Sequence, residues 1–210
     1  MKRIIVFLLG IFCICLITAC AIGRTYNYSN AWPSLSYSSA KKVTIAVHDQ
    51  RNYVIKGQKS ESYAGMLRGG YGNPWNVNTE NNESLSDVMA NNICSGLNNA
   101  GIKASKVLTK YTDSKSSILN TMVTTSKDND RLIILTILDW YTDTYKDTTL
   151  YAHLVVEVYD GEKNNISKYE FKEERNLGYG IPYNTAPNAF KNIISTIFNK
   201  TEIKSSLTTD

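Results

Sequence analysis

The residue with the clearest chemistry in this chain is a cysteine. Ile17-Thr18-Ala19-Cys20 places an aliphatic residue and two small residues before a thiol. That spacing suits a signal peptidase cutting between Ala19 and Cys20, with lipid (palmitate among the acyl groups) carried on the new N-terminal cysteine. Met1-Lys2-Arg3 supplies a positive start, and an apolar run follows it, the layout of an export signal. A competing reading exists. Residues 4–22 carry no charge, and about 18 apolar residues suffice to cross a bilayer. The small residues before Cys20 favour cleavage, because a membrane span has no need of them. In both readings the domain is exported and held at a membrane, and stable lipid anchoring takes more than one acyl chain.

Other groups with reactive side chains are weaker candidates. His48-Asp49 and His153 could serve acid–base or metal chemistry. The chain has only two His, however, and a zinc site usually draws on three or four converging N, S or O ligands. The ordinary alternative is one His at a strand end and one on a solvated strand face. Cys94 falls mid-helix with no base predicted beside it, so it reads as a small, partly buried side chain. No catalytic residue, metal site or cofactor is expected. Residues 65–75 combine Gly65, Gly69, Gly70 and Gly72 with Arg68, Tyr71 and Trp75. They lack the Gly-Lys-Ser/Thr ending of a phosphate loop. Two readings stay open for them: an exposed partner-binding contact through Arg68, Tyr71 and Trp75, or internal packing of the loop. Residues 139–145 are acidic and aromatic. With Trp140, Tyr141 and Tyr151 they could hold a glycan or small ligand, or they could be ordinary cross-strand aromatic pairs.

Composition narrows the classes. The chain has 210 residues and a formal charge of +4. Loss of Lys2 and Arg3 with the signal leaves 21 basic against 19 acidic side chains. That balance argues against a nucleic-acid partner, which would need a clustered basic face. Cys13 and Cys15 lie in the signal and Cys20 takes lipid. Cys94 is then alone, and the mature chain can close no disulfide of its own.

The elements that would position these residues follow from periodicity. Residues 20–42 read as a lipidated, flexible tether rich in Ser, Asn and Tyr. Val43, Ile45 and Val47 alternate with smaller or polar residues as a first strand. A long irregular stretch, 52–80, should hide a short hairpin, because structureless loops above about 15 residues are uncommon. Residues 84–100 repeat apolar positions at helical spacing, with Ser84 or Ser86 as cap and Gly101 as stop. A strand at 102–108 and a second helix opened by Asp113 or Ser114 follow. Residues 132–138 are apolar on both faces, the mark of a central strand. Strands at 149–160 and 166–176 are joined by an Asp160-Gly161 turn. The second is densely charged and suits an edge. A helix after Pro187 presents Phe190, Ile193, Ile194, Ile197 and Phe198 on one side. The polar tail 204–210 reads as frayed. The expected fold is α+β: one mixed sheet in the order β-α-β-α-β-β-β-α, with helices packed on one face, spanning 43–203 as a single domain.

The strand ending Val47-His48-Asp49-Gln50-Arg51 is similar to a V-x-D-x-R opening. With the lipobox at Cys20, the helix ending Ala100-Gly101-Ile102, the hairpin over 132–160 and the helix after Pro187, the chain resembles the YajG-like family of uncharacterised bacterial lipoproteins. The insert at 52–80 and the second helix depart from that pattern. The resemblance implies a periplasmic domain held to the outer membrane by lipid on Cys20, and it supplies no catalytic residues. Ala21, where inner-membrane lipoproteins carry Asp, agrees with outer-membrane sorting. The function expected is therefore non-enzymatic binding or assembly with an envelope protein or peptidoglycan, with loop 52–80 as the favoured contact. A glycan- or small-ligand-binding module is the alternative, and an envelope hydrolase ranks third.

Overall fold

The computed structural model describes residues 24–37, 42–126, 131–179 and 184–208. Cys20, Ala19 and the export segment lie outside the described residues. Among those described, eight strands form one curled mixed sheet: β1 (Arg24–Tyr26), β2 (Val43–Asp49), β3 (Tyr63–Arg68), β4 (Pro74–Thr79), β5 (Ala104–Val107), β6 (Arg131–Thr144), β7 (Asp147–Tyr159) and β8 (Asn165–Tyr179). Five helices accompany them: α1 (Asn52–Ile55), α2 (Leu85–Asn99), α3 (Lys115–Thr125), α4 (Thr185–Phe198) and α5 (Thr201–Leu207).

β6 is the spine, as its two apolar faces require. One edge pairs with β7 along nearly its whole length. The other edge is shared. β2 runs parallel to residues 131–137, and β3 runs parallel to residues 142–144. β5 flanks β2, while β4 and β1 extend the sheet beyond β3. β8 pairs only with β7 and forms the charged edge strand expected of it.

The main core lies on one face. There α2, α4 and α5 cover Ile45, Ile133, Leu135, Ile137, Leu154 and Val156, all essentially inaccessible. Each such aliphatic side chain contributes about 1.5–3 kcal/mol through burial. α2 starts where Ser84 accepts a hydrogen bond from the Asp87 backbone N–H at 3.2 Å, and it stops at Gly101 with φ +84°.

The placement of helices corrects the one-sided expectation. α3 packs on the opposite face, where Ile118, Leu119 and Met122 meet Ala46, Leu132 and Ile134. Connection geometry explains this. The chain steps from β2 outward to β5, then back across β2 to β6. Parallel crossovers are almost always right-handed, so reversing the direction of travel puts the second helix on the other face.

Two segments also depart from expectation. Within the stretch read as a free tether, residues 24–37 are packed: Tyr26 and Tyr28 are buried and β1 joins the sheet. The strap then runs over α2 and α4. Pro33 fits against Gly96, where an added Cβ would sit 2.5 Å from Pro33 Cγ. The Ser34 N–H donates to Ser195 Oγ at 2.8 Å, and the Tyr37 hydroxyl donates to the Phe198 carbonyl at 2.7 Å. The tail read as frayed forms α5 through Leu207, because Ile203 and Leu207, one helical turn apart, are both buried. The stretch 52–80 does contain the expected hairpin, β3–β4.

Candidate functional site

Among the described residues, the second face of the sheet is bare beyond α3 and the short α1. Strand alternation decides what it shows. Trp140 and Tyr141 are consecutive, so they point to opposite faces. Trp140 is fully buried in the main core, packed edge-on against Phe190 at 5.8 Å and donating its indole N–H to the Tyr28 hydroxyl at 3.2 Å. It therefore leaves the expected ligand-binding trio of Trp140, Tyr141 and Tyr151. The other two stay together on the bare face. Tyr141 sits directly across from Tyr151, and their rings stack at 4.7 Å with only 13° between planes.

Two further tyrosines complete the patch. The Tyr53 ring meets Tyr63 edge-on at 5.5 Å and Tyr141 edge-on at 6.1 Å. Aromatic pairs of this kind add about 0.5–1.5 kcal/mol beyond area burial, so the four rings form a rigid strip. Burial holds the Tyr53 and Tyr63 hydroxyls well above the usual tyrosine range, keeping them neutral hydrogen-bonding groups. Tyr53 donates to Asp139 Oδ1 at 3.1 Å. Burial raises the Asp139 carboxyl, with the Tyr53 hydrogen bond pulling the other way. At the far side Arg68 grips Asp143 in bidentate fashion, at 2.8 and 2.6 Å. Arg68 thus lies on this face, fastening β3 to β6.

A buried ion pair sets the strip in place. Along β6 the edge passes from β2 to β3, and a bulge interrupts the register between Ile137 and Asp139. Backbone carbonyls at that junction need donors, since unpaired buried polar groups are costly. Arg51 supplies them. Its Nε and Nη2 donate to the two Asp49 carboxylate oxygens at 2.9 and 2.7 Å. The remaining N–H groups reach the carbonyls of Glu61, Tyr63 and Trp140. Both side chains are essentially fully buried. The Asp49-Gln50-Arg51 run thus fixes the backbone under Tyr63 and next to Tyr141.

The bare face continues into a groove of about 460 Å³. It opens at the C-terminal end of β2 and the start of α3, lined by His48, Gln50, Asp113, Lys115, Glu157 and Lys168 among others. Crossovers onto opposite faces diverge here, after β2 and β5, the kind of crevice that takes ligands in open parallel sheets. His48 Nε2 lies 2.9 Å from the Gln50 amide nitrogen, which also donates to the Tyr111 carbonyl. His48 Nε2 can accept from that amide only as the neutral tautomer with its proton on Nδ1. Burial holds its imidazole below the usual range. Lys115 pairs with Glu157 at 2.5 Å.

The remaining sequence candidates are placed elsewhere. Tyr71, fully exposed, and Trp75, half-exposed, lie at the β3–β4 tip. His153 pairs with Glu170 at 2.7 Å on the bare face, apart from the groove lining. Burial pushes the Cys94 thiol up to about 11. From sequence, Arg51 enters only as the end of the V-x-D-x-R opening, with no role assigned, and Tyr53 and Tyr63 are not singled out at all. The only signal for the two tyrosines is that their stretch follows the first strand directly.

No family model matches the chain, and no curated protein matches it. Among solved structures it is similar to a protein from Xanthomonas campestris assigned to DUF330. That likeness has 12% identity and a TM-score of 0.50, covering 88% of this chain and 93% of that one. Lipoprotein GNA1162 from Neisseria meningitidis aligns at 7% identity, covering 76% and 96%, with a TM-score of 0.38. A PelC dodecamer from Paraburkholderia phytofirmans aligns at 11% identity, covering 78% and 90%, also at 0.38. The first of these shows a common fold with the DUF330 protein, and the chain is α+β with a single curled sheet.

Proposed function

We propose that this chain is a YajG-like lipoprotein of the outer membrane, facing the periplasm, which works without catalysis by binding an envelope partner across its bare sheet face. One observation carries the reading. Among the described residues no other element covers the face where Tyr141 and Tyr151 stack beside a groove, braced edge-on by Tyr53 and by the buried Tyr63. Tyrosines offer large contact area at little entropic cost and dominate binding hot spots. Rings held in advance leave little ordering to be done on association. The lipobox ending at Cys20 supports the address, since it would keep the domain near envelope partners.

The test is photo-crosslinking in intact cells. A benzophenone side chain at Leu138, an exposed groove residue, should give a discrete adduct. The same side chain at Asn192, exposed on α4 over the opposite face, should not. Equal labelling from both positions would reject the bare face as the binding surface.

A second reading has its own support. The stacked, nearly parallel Tyr141–Tyr151 pair, with Asp139 and Asp143 at its margin, offers an aromatic face of the kind that takes a sugar ring. Peptidoglycan fragments would then raise the melting temperature, because a ligand that binds only the native state stabilises it. An unchanged melting temperature at millimolar fragment would remove the glycan reading and leave the protein partner.

A further inference from the structure

One end of the sheet carries a rim of exposed aromatic side chains. The β3–β4 hairpin turns there, with the Gly69 N–H donating to the Asn73 carbonyl at 2.9 Å. Tyr71 at its tip is 100% exposed, and Trp75 behind it is 48% exposed. The Trp75 ring lies over Gly69, where an added Cβ would come within 2.6 Å of it, so the indole leans toward the tip. β3 runs parallel to the end of β6, with Leu67 beside Thr144, which brings the β6–β7 turn to the same end. Tyr145 in that turn is 52% exposed and donates to the Gly70 carbonyl. β8 finishes there too, with Tyr179, 89% exposed, across from Asp147. Isolated exposed apolar residues are ordinary, but four large aromatic ones at one end are not.

The chain enters the domain at this same end. β1 runs parallel to β4 with Arg24 beside Val77 and Tyr26 beside Thr79, so its first residue is the one nearer the hairpin tip. Cys20 is four residues earlier. Four residues span at most about 14 Å even when fully extended. Lipid on Cys20 would therefore hold this end of the sheet against the bilayer, with no room for a long spacer. The strap formed by residues 24–37 removes the tether that would otherwise let the domain stand away.

We infer that the aromatic rim is a membrane-docking surface, and that its partner is the phospholipid interface itself. Tyrosine and tryptophan collect at that depth because their rings are apolar while their polar atoms remain hydrated. Arg24 and Lys146 are exposed at the same end and suit anionic headgroups. The acidic groups nearby are engaged: Asp143 holds Arg68, and Asp147 accepts from Asn176. The inference rests on lipidation of Cys20. It adds an orientation: β6 and the bare tyrosine face stand up from the bilayer, so the groove opens sideways into the periplasm.

The test uses the lipidated full-length protein in vesicles of phosphatidylethanolamine and phosphatidylglycerol, with acyl chains brominated near the headgroup. Bromine quenches indole only at close range. The chain has three Trp: Trp140 is buried, and Trp32 lies in the strap beyond the opposite end of β1. The Trp32→Phe variant should lose emission on bromination, whereas Trp75→Phe should not. Adding Tyr71→Trp to Trp75→Phe should restore the loss. Lipid on Cys20 is checked by mass spectrometry of the same sample. Lipidated protein with no quenching of Trp75 would overturn the docking surface while leaving the anchor intact. Absence of acyl chains from Cys20 would overturn the anchor, and the docking surface with it.

Discussion

Removing the Asp49 carboxylate should cost this fold more than its small size implies. In Asp49→Ala the Arg51 guanidinium keeps three carbonyl partners and loses both carboxylate oxygens. With both residues essentially inaccessible, neither water nor a nearby surface can replace them. Breaking a buried ion pair from one side costs about 3–5 kcal/mol, against a total stability of about 5–15 kcal/mol for a typical domain. With a urea slope of about 2 kcal/mol per M, the unfolding midpoint should fall by about 2 M. The double variant Asp49→Ala/Arg51→Met should recover part of that loss, because no charge is then left unpaired. Urea denaturation followed by far-UV circular dichroism reads both. A single-variant loss below about 1 kcal/mol, the range of exposed ion pairs, would show that Arg51 does not hold the β2–β6–β3 junction. A double variant as weak as the single would show that the carbonyl contacts, not the charge, dominate.

The remaining predictions are independent of that junction. Gly96→Val places methyl groups where Pro33 and its carbonyl already sit; overpacking of this kind costs about 1–3 kcal/mol and should open the strap to limited proteolysis near residue 33, and an unchanged digestion pattern would count against the strap. His48 has a folded-state affinity for protons below its ordinary 6.5 because of burial. The unfolded chain therefore binds the proton first as pH falls, so stability is lost below about pH 6.5 and levels off once the folded His48 also protonates. His48→Gln should flatten that part of the urea midpoint against pH, and an identical profile would reject the assignment. The Cys94 thiol, pushed up to about 11, should react with iodoacetamide at pH 8 far more slowly in the native protein than in the unfolded chain, as mass spectrometry will show; equal rates would contradict its burial.

Where the sequence was readable, the reason is periodicity. Residues 132–135 are apolar on both faces because α3 covers Leu132 and Ile134 on one side of β6 and the main core covers Ile133 and Leu135 on the other. The α2 and α4 stripes are equally plain. The strands that pattern missed are short or unusual. β1 has three residues, and its partner β4 lies within a stretch that looked irregular. β3 includes Gly65, where an added Cβ would meet the Thr142 backbone carbonyl at 2.9 Å; close approach to β6, not alternation, selects that residue. The side on which α3 packs was implicit in the order of parallel strands, not in its own residues. Trp140 and Tyr141 were readable too, since consecutive strand residues cannot share a face. Arg51 and Tyr53 could not be found this way, because their partners are backbone carbonyls and rings brought in from β3 and β6.

The central claim is that the tyrosine strip makes the contact with an envelope partner. The most direct measurement places the Leu138 photo-crosslinker in the wild-type background and in Tyr141→Ser/Tyr151→Ser, in growing cells, after circular dichroism has shown that both proteins fold. Loss of the adduct in the double variant, at equal protein level, is the result expected. An adduct of unchanged size and yield would contradict the claim.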